Sequence, residues 1–595
     1  MLIRTPSRRV ETVLSDDVNQ SRPSSLRAFL SEGVFWARDA LPRVGLAGSR
    51  SASLHRGTEQ PLRHRANYRE LRRFTWLRWL GTVGSIFILI AGIGSGATPV
   101  VGNAFWETPL GSFLGRMLVA STIVTFVGIG MLVTAWLGVG AFVFAGARSR
   151  VTTVNTPMLM RAFAAWVLPI VFTAPLFTQD IYSYLAQAAI VERGLDPYSA
   201  GPVDLLGPND PLARSVPLIW SHSPSPYGPT ALSFAWVIAK LTGDGVIASV
   251  FLHRFVAIAS LFVVAWALVH LGRRCGVSPQ FTLWLGILNP LVLLHLVGGI
   301  HNEALLLALL LSGMELCLRA IHGPAQAAKP DSLPESGRLH SSSNSLADGS
   351  SVTPRRAWAF YIAGIVLISL AGMVKVTGFV ALGFAGMWLA RKFGSSWVAV
   401  VKSAVVTATV AATTAVVVSV GTGLGFGWIT AQGGAATVRS WMSLTTLLGI
   451  VSGFFGRLLG LGDISDSALV FTRGIGVVLV GLWMLRMLLA TFRGRIHPLG
   501  GYGLSMFALV ILFPVVHPWY LLWAIVPLSA WANRGQFRTA VVVYSAIFSF
   551  VILPRGLGLP PATVAQIYLV ALLFFVAVMF VIVAYSTRSK VFRLH

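Results

Sequence analysis

Residues 563–585 read TVAQIYLVALLFFVAVMFVIVAY, a run of 23 residues without a charged side chain. A helix needs about 20 apolar residues to cross the hydrocarbon core of a bilayer. The run is also continuously apolar, whereas the strands of a transmembrane β-barrel alternate between apolar and polar residues. It therefore predicts a membrane-spanning helix.

The composition of the whole chain agrees with this prediction. Of its 595 residues, 55% are hydrophobic and only 11% are charged, and the mean hydropathy is +0.73. A soluble domain carries about 25% charged residues, so the composition excludes a soluble globular protein. The net charge of +25 comes from basic residues that lie between apolar runs. This is typical of cytoplasmic loops in a membrane protein and argues against a nucleic-acid partner. Two cysteines, Cys275 and Cys317, predict no disulfide framework.

Similar apolar runs recur along the chain and predict an all-α, polytopic transmembrane helical bundle. When both ends are placed in the cytoplasm, the basic loops fall inside, provided that residues 228–242 form a helix lying on the outer face. The loop 178–247 and the segment 421–469 are then both external. About 14 spans are predicted, at residues 75–97, 113–145, 158–177, 248–271, 279–297, 303–320, 357–373, 376–390, 397–420, 470–491, 501–516, 519–533, 538–553 and 563–585.

Two polar segments divide the chain. Residues 1–74 hold 14 Arg, no Lys and 7 acidic residues, which predicts a disordered basic cytosolic tail. Residues 321–356 contain eight Ser and predict a Ser-rich cytosolic linker. The linker separates an N-terminal transmembrane block, residues 75–320, from a C-terminal block, residues 357–595. No sequence repeat relates the two blocks, which weakens the interpretation as a transporter built on inverted repeats.

Asp180 is the first candidate for chemistry, because it directly follows the third predicted span in the motif Gln179-Asp180-Ile181-Tyr182. One interpretation is a carboxylate that caps a helix. The other is a general base at the lipid–water interface, where it can meet a membrane-bound and an aqueous substrate together. In the same loop, Tyr198 and Tyr227 stand in Pro-rich turns, where they either contact a sugar or pack the loop onto the bundle.

Three further outer turns carry polar residues. His301, Asn302 and Glu303 follow a Gly pair; they either start a helix or present polar groups, and two potential ligands are too few for a metal site. Lys375, one of six lysines, lies between two apolar runs, where it either snorkels to the interface or pairs with a lipid phosphate.

The last of these turns is His517-Pro518-Trp519-Tyr520. An interfacial aromatic belt explains Trp519 and Tyr520 but not His517, which can donate to a phosphate or a sugar hydroxyl. Arg254, one turn inside a span, is a further cation at the same face. An early external carboxylate, a long loop and several cations at one membrane face together predict a site for transfer from a phosphate-linked lipid.

These motifs resemble a known family. Together with Gly194-Leu195-Asp196-Pro197-Tyr198, Pro226-Tyr227-Gly228-Pro229 and Asn289-Pro290-Leu291, they look like the polyprenol-phosphate-mannose-dependent α-(1→6)-mannosyltransferases of actinobacterial lipomannan synthesis, within the GT-C glycosyltransferases. The resemblance covers about residues 75–585. It is nearer to the type that acts on the proximal part of the mannan core of lipomannan and lipoarabinomannan.

The resemblance implies a mechanism and a set of site residues. The donor is polyprenyl phosphomannose, the acceptor is a lipid-linked mannan, and the configuration inverts, with Asp180 as the general base. Lys375, Arg254 and His517 are the candidates for binding the donor phosphate, and neither a metal nor another cofactor is expected. The expected substrate contacts are Gln179, Tyr182, Tyr198, Tyr227, His301, Asn302, Glu303, Trp519 and Tyr520.

The resemblance also predicts a multi-pass protein of the cell membrane whose active site is extracytoplasmic. Two alternatives stay open at this point. One is a transporter or flippase of lipid-linked saccharides, and the other is a GT-C enzyme that uses another polyprenyl-phosphate sugar, such as arabinose. The sequence leaves the oligomeric state open.

Overall fold

The structure is a computed structural model of the chain. The residues that it describes are 44, 62–63, 67–99, 102–149, 151–152, 154–243, 245–322, 353–431, 439–440 and 442–588. Most of the predicted tail 1–74 and of the predicted linker 321–356 therefore lies outside the described residues.

The described part before residue 323 is helical, apart from one parallel pair of two-residue strands, β1 (Leu62–Arg63) and β2 (Val151–Thr152). A seven-residue π-helical turn, Val292–Gly298, lies between its last two helices. Its helices are α1 (Tyr68–Ser95), α2 (Gly111–Gly115), α3 (Leu118–Ser149), α4 (Thr156–Val171), α5 (Asp180–Glu192), α6 (Pro202–Leu206), α7 (Pro211–Ser215), α8 (Leu218–Ser221), α9 (Pro229–Thr242), α10 (Val246–Arg274), α11 (Pro279–Gly286) and α12 (Glu303–His322), with a 3₁₀ turn at Ala104–Glu107.

The described part after residue 352 is also helical. Its helices are α13 (Pro354–Gly372), α14 (Val380–Lys392), α15 (Trp397–Gly421), α16 (Leu444–Leu458), α17 (Ser465–Phe492), α18 (Pro498–Leu512), α19 (Leu522–Ser529), α20 (Gly535–Phe548) and α21 (Pro561–Arg588), with 3₁₀ turns at Val376–Phe379, Gly427–Ile429 and Pro518–Leu521.

The all-α polytopic fold predicted from the sequence is confirmed, but the count of about 14 spans is not. Among the described residues, eight helices are long and apolar enough to cross a membrane: Tyr68–Ser95, Leu118–Val143, Val246–Arg274, Glu303–His322, Pro354–Gly372, Trp397–Gly421, Ser465–Phe492 and Pro561–Tyr585. The other predicted spans are shorter or broken. For example, the predicted span 279–297 ends as an α-helix at Gly286, and the Asn289 side chain then accepts a hydrogen bond from the Leu291 N–H on the far side of Pro290. Because Pro290 has no N–H to donate, a helix is easily interrupted there.

Small residues let several helices approach closely. The backbones of Gly313 in α12 and Gly364 in α13 are so near that a Cβ on either would stand 2.7 Å from the other's carbonyl oxygen. Without a hydrophobic driving force between helices in lipid, such close van der Waals contact is a main source of helix association. Two hydrogen bonds also join α3 to α11: the indole N–H of Trp136 donates to the Trp284 backbone carbonyl, and the indole N–H of Trp284 donates to the Trp136 backbone carbonyl.

One hydrophobic core unites both sides of the segment 321–356. Helix α12 packs on α13, and α11 packs on α19. Helices α5 to α9 form the loop predicted at residues 178–247, and the helix expected at 228–242 is α9. The loop, the turn before α12, the end of α13 and the turn before α19 meet, and this meeting point holds the candidate site.

Candidate active site

A cavity of about 450 Å³ lies where these four parts of the chain meet. Five of the predicted site residues line it: Asp180, Tyr227, Lys375, His517 and Tyr520. They come from positions between 180 and 520 in the sequence, so only the fold brings them together. The wall also contains side chains that carry hydrogen-bonding groups, namely Ser183, Gln187, Trp220 and Ser223. Its apolar residues include Gly476, Val477, Val480, Leu509, Leu512 and Phe513.

Asp180 is the first residue of α5, and its side chain is about one-fifth exposed. Its own N–H donates to the Thr178 hydroxyl at 3.2 Å, which orients the start of the helix. Burial raises the pKa of Asp180 to about 6; Glu303 also raises it, whereas hydrogen bonding from Thr178 and the charge of Lys375 lower it. A carboxylate with a pKa near 6 is ionised at neutral pH and is matched to a proton-accepting role.

Lys375 follows the end of α13, and its Nζ donates to Glu303 Oε1 at 2.9 Å. Its ammonium lies over the rings of Tyr520 and Trp523, 4.2 and 4.8 Å from their centroids. Burial has the largest single influence and lowers the pKa of Lys375, but Glu303, Tyr520 and Tyr227 together raise it above its usual range. The side chain is therefore a fixed cation, with further N–H groups beside the cavity.

His517 lines the cavity in front of a stack of rings. Its imidazole is nearly parallel to the Trp519 indole, at a centroid distance of 4.5 Å, and Trp519 is also stacked with His301, at 4.3 Å. Burial lowers the pKa of His517 to about 4, and Lys375 also lowers it. The imidazole is therefore neutral at pH 7, which leaves it one N–H to donate.

A second group of predicted residues lies behind the cavity wall. His301 Nδ1 is 3.8 Å from Asp180 Oδ2 and 3.9 Å from Glu303 Oε2, and both the His301 and Glu303 side chains are at least 97% buried. Neither residue lines the cavity, and neither does Trp519. These three residues therefore lie beside the groups that face the cavity and do not themselves line it.

Arg254 does not match the prediction that it binds a phosphate. Its side chain is fully buried, and its five N–H groups are directed at five backbone carbonyls, those of Val171, Thr173, Ala174, Val297 and Gly298. A guanidinium has five N–H donors, so none remains for a lipid phosphate. Arg254 therefore connects the end of α4 to the π-helical turn before α12, and it stabilises the backbone around the site.

Four other predicted contacts also lie away from the cavity. Gln179 Nε2 donates to the Thr98 carbonyl at 2.9 Å, and Tyr182 is buried in a cluster with Phe105 and Ile300. The backbone carbonyl of Asn302 accepts from the Leu306 N–H in the first turn of α12. Tyr198 packs with Leu232, Met373 and Trp428, which is the loop-packing alternative.

The same tyrosine bears on the external segment 421–469. Trp428 packs against Tyr198, donates its indole N–H to the Ser419 hydroxyl at 3.1 Å and stacks on Phe379. The first part of the segment is therefore anchored to the bundle. Residues 432–438 and 441 lie outside the described residues, and α16 then forms an apolar helix against α17.

Sequence reasoning missed part of the cavity. Ser183 and Gln187 lie three and seven residues after Asp180, on the same face of α5, and Gln187 Oε1 accepts from the Ser225 hydroxyl at 3.0 Å. That helical spacing is a signal that could have found them. The apolar wall gave no such signal, because its residues belong to apolar runs that look like any lipid-facing helix.

Comparisons with known proteins point in one direction. Residues 78–391 match the family described as "Alpha-(1->6)-mannopyranosyltransferase, N-terminal domain", and residues 445–580 match "MptB C-terminal domain". The chain is 46% identical to Alpha-(1->6)-mannopyranosyltransferase B of Corynebacterium glutamicum, over 96% of this chain and 94% of that protein. It is 39% identical to Alpha-(1->6)-mannopyranosyltransferase Rv1459c of Mycobacterium tuberculosis, over 83% and 85% of the two chains. It is 30% identical to Alpha-(1->6)-mannopyranosyltransferase A of the same organism, over 79% and 83%. No solved structure matches.

Proposed function

The chain belongs to the α-(1→6)-mannopyranosyltransferase family, and we propose that it moves mannose from polyprenyl phosphomannose to a lipid-linked mannan at the cavity around Asp180. Transfer of mannose into an α-(1→6) link is the activity of the family. We further propose the identity of the donor and of the acceptor, the residues that contact them, and the side of the membrane on which the cavity lies. The chain is more similar to the B form of C. glutamicum, at 46% identity, than to the A form, at 29%.

The two-sided wall of the cavity is the observation that carries the proposal. Its polar end presents Asp180, Lys375 and His517, and its other end is formed by apolar residues of α17 and α18. Val477 is 66% exposed on a helix long enough to cross the membrane, so the apolar end continues onto a lipid-facing surface. A ligand that fits this shape has a charged, hydroxyl-rich head and a long apolar tail, as polyprenyl phosphomannose has.

The chemistry follows from the groups at the polar end. The 6-hydroxyl of the acceptor mannose attacks C1 of the donor mannose, and its proton goes to Asp180. The bond between C1 and the phosphate oxygen breaks, and both of its electrons leave with the polyprenyl phosphate. Lys375 and the N–H of His517 stabilise the negative charge of that phosphate. Because attack and departure take place on opposite faces of the sugar, the β-linked donor gives an α-linked product.

The acceptor sugar has its own set of polar neighbours in the cavity. Trp220 presents an aromatic surface, and Ser183, Gln187 and Tyr227 present hydrogen-bonding groups near Asp180. A flat aromatic ring together with hydroxyl and amide groups is a suitable surface for a hexose. We assign this side of the cavity to the mannan, and the side of Lys375 and His517 to the donor phosphate.

The orientation in the membrane follows from charge. Helix α12 has Glu303 at its cavity end and His322 at the other, and 20 helical residues span about 30 Å. At the far end, Lys392 Nζ donates to the Ala320 carbonyl, and Trp388 donates to His322. The basic residues of α14 thus gather opposite the cavity. By the positive-inside rule, that end is cytoplasmic and the cavity is extracytoplasmic.

A panel of radiolabelled polyprenyl-phosphate sugars tests this proposal directly. Purified protein in liposomes is given the mannose, arabinose or glucose derivative together with a short α-(1→6)-mannoside acceptor. We expect new glycosidic bonds with the mannose derivative alone, in an α-(1→6) link. Transfer of arabinose at an equal rate, or translocation of the lipid without a new bond, would overturn the proposal in favour of another GT-C enzyme or a flippase.

A further inference from the structure

His301 lies between two carboxylates that have different tasks. Its Nδ1 is 3.8 Å from Asp180 and 3.9 Å from Glu303, beyond a hydrogen bond in either case. A movement of about 1 Å toward either one would make the bond. Glu303 uses its other oxygen, Oε1, to hold Lys375, so Oε2 faces the imidazole.

The surroundings of His301 determine which nitrogen carries its proton. Nε2 is buried and has no hydrogen-bond partner among the described residues, whereas Nδ1 faces two acceptors. Because a buried N–H without a partner is more costly than an unused lone pair, the proton belongs on Nδ1. Burial lowers the pKa of His301 well below its usual range, and Lys375 and His517 also lower it, so the ring is neutral and has a single proton to offer.

The backbone holds the ring in place at some cost. Ile300, directly before His301, has φ of +58°, and Phe177, three residues before Asp180, has φ of +68°. Both are non-glycine residues in the left-handed region, which is strained and is maintained where the surrounding structure imposes it. A Cβ on Gly299 would stand 3.1 Å from His301 Nε2. The absence of a side chain at Gly299 therefore leaves space for the Nε2 edge of the His301 ring.

We propose that His301 is a positioning residue for the base and shares its one Nδ1 proton between Asp180 and Glu303. It donates to Asp180 while this carboxylate is ionised and ready to accept the hydroxyl proton. Once Asp180 has taken that proton, it no longer needs the donor, and the Nδ1 proton turns to Glu303. No proton leaves His301 in either step, so the ring works as a switchable donor and not as a second base. The inference rests on the proposed role of Asp180.

The pH dependence of transfer can report this role through the titration of Asp180. Burial raises the pKa values of Tyr184 and Tyr227 well above their usual range, and the pKa of His517 is about 4. Because its pKa is about 6, we assign the acid limb of the rate profile to Asp180. The charged and titratable groups that surround Asp180 and His301 are Tyr184, Tyr227, His295, Glu303, Lys375, His517 and Tyr520.

The experiment is the pH profile of kcat/KM for purified protein with the mannose donor, in wild type, His301→Asn and His301→Phe. Asn keeps an N–H donor near the position of Nδ1, whereas Phe keeps the stacking on Trp519 and removes the donor. Without a hydrogen bond to its charged form, Asp180 is easier to protonate. We expect the acid limb of His301→Phe to move up by about one pH unit, with a loss of about fivefold at pH 6, and that of His301→Asn to stay near the wild-type position.

His295→Phe is the matched control, since His295 is a buried histidine of the same ring stack whose nearest rings are Phe177, Trp519 and His301. We expect His295→Phe to leave the acid limb of the kcat/KM profile at the wild-type pH. An unmoved limb in His301→Phe, or an equal shift in His295→Phe, would overturn the inference while leaving the role of Asp180 intact. A wild-type profile without an acid limb near 6 would instead contradict Asp180 as the base. If His301→Phe does not purify as a folded protein, His301→Gln, whose amide lies near the Nε2 position, gives the same comparison.

Discussion

Replacing Lys375 separates its structural role, the pairing with Glu303, from the role that we propose for it at the donor phosphate. Lys375 is 18% exposed and is paired at 2.9 Å with Glu303, which is 3% exposed. Lys375→Met leaves the Glu303 carboxylate buried without its cation, and breaking such a pair costs about 3–5 kcal/mol of folding free energy. It also removes the charge that we propose stabilises the departing phosphate, and the loss of one such group typically slows the chemical step about 100-fold to 1,000-fold.

The double variant Lys375→Met/Glu303→Gln distinguishes these two effects. Neither residue is then charged, so we expect most of the lost stability to return, as measured by thermal unfolding of the purified protein followed through tryptophan fluorescence. Transfer of labelled mannose should stay as low as in the single variant. Lys402→Met, at an exposed position on α15, should change neither quantity. Wild-type transfer by the stabilised double variant would refute a role for Lys375 at the phosphate and leave it a structural cation.

Three further predictions concern other parts of the site. Because the pKa of Asp180 is raised to about 6 and the base must be ionised, transfer should be constant above about pH 7 and fall tenfold per unit well below pH 6, as an initial-rate profile would show. Arg254→Leu removes the guanidinium donors of five buried carbonyls, so it should lower the thermal midpoint strongly while the folded fraction keeps the wild-type KM for the donor; a raised KM would instead support Arg254 as a phosphate-binding residue. Val480→Trp narrows the apolar end of the cavity, so it should raise the KM for long-chain donors and spare a two-isoprene donor, whereas Val478→Trp, on the exposed side of α17, should spare both.

Much of the site could be predicted because polar residues are rare in apolar runs. Asp180, Lys375 and His517 each interrupt such a run at a predicted outer turn, and the structure brings all three to one cavity. A charge in that setting needs a partner or a task, whichever fold surrounds it. This is why individually weak signals, taken together, could predict residues that the fold brings to one cavity.

Arg254 shows where that reasoning ends. The carbonyls that accept hydrogen bonds from Arg254 belong to the end of α4 and to the π-helical turn before α12. A predicted span is interrupted at each of these two places. Spans predicted by length and hydropathy alone appear whole, so their unpaired carbonyls are not visible in the sequence. The predicted count of spans is not confirmed for the same reason, because hydropathy does not report where Pro290 and the residues around it break a helix.

The residues of the apolar end of the cavity could not be predicted from the sequence, for a different reason. Val477 and Val480 belong to one continuous apolar helix, and nothing in their type separates a residue that faces a ligand tail from one that faces lipid. Only the position of α17 beside α18 and the polar end makes that distinction.

The most direct test of the account compares donor binding with mannose transfer in Asp180→Asn. The amide has the size of the carboxylate but does not accept the hydroxyl proton. We predict that the purified variant binds polyprenyl phosphomannose as the wild type does and that its transfer rate falls about 100-fold to 10,000-fold. Asp204→Asn, at a carboxylate that contacts the His222 ring at 2.8 Å in the same loop, serves as the control and should transfer normally. Transfer by Asp180→Asn at the wild-type rate would contradict the central claim that this carboxylate takes the proton from the acceptor.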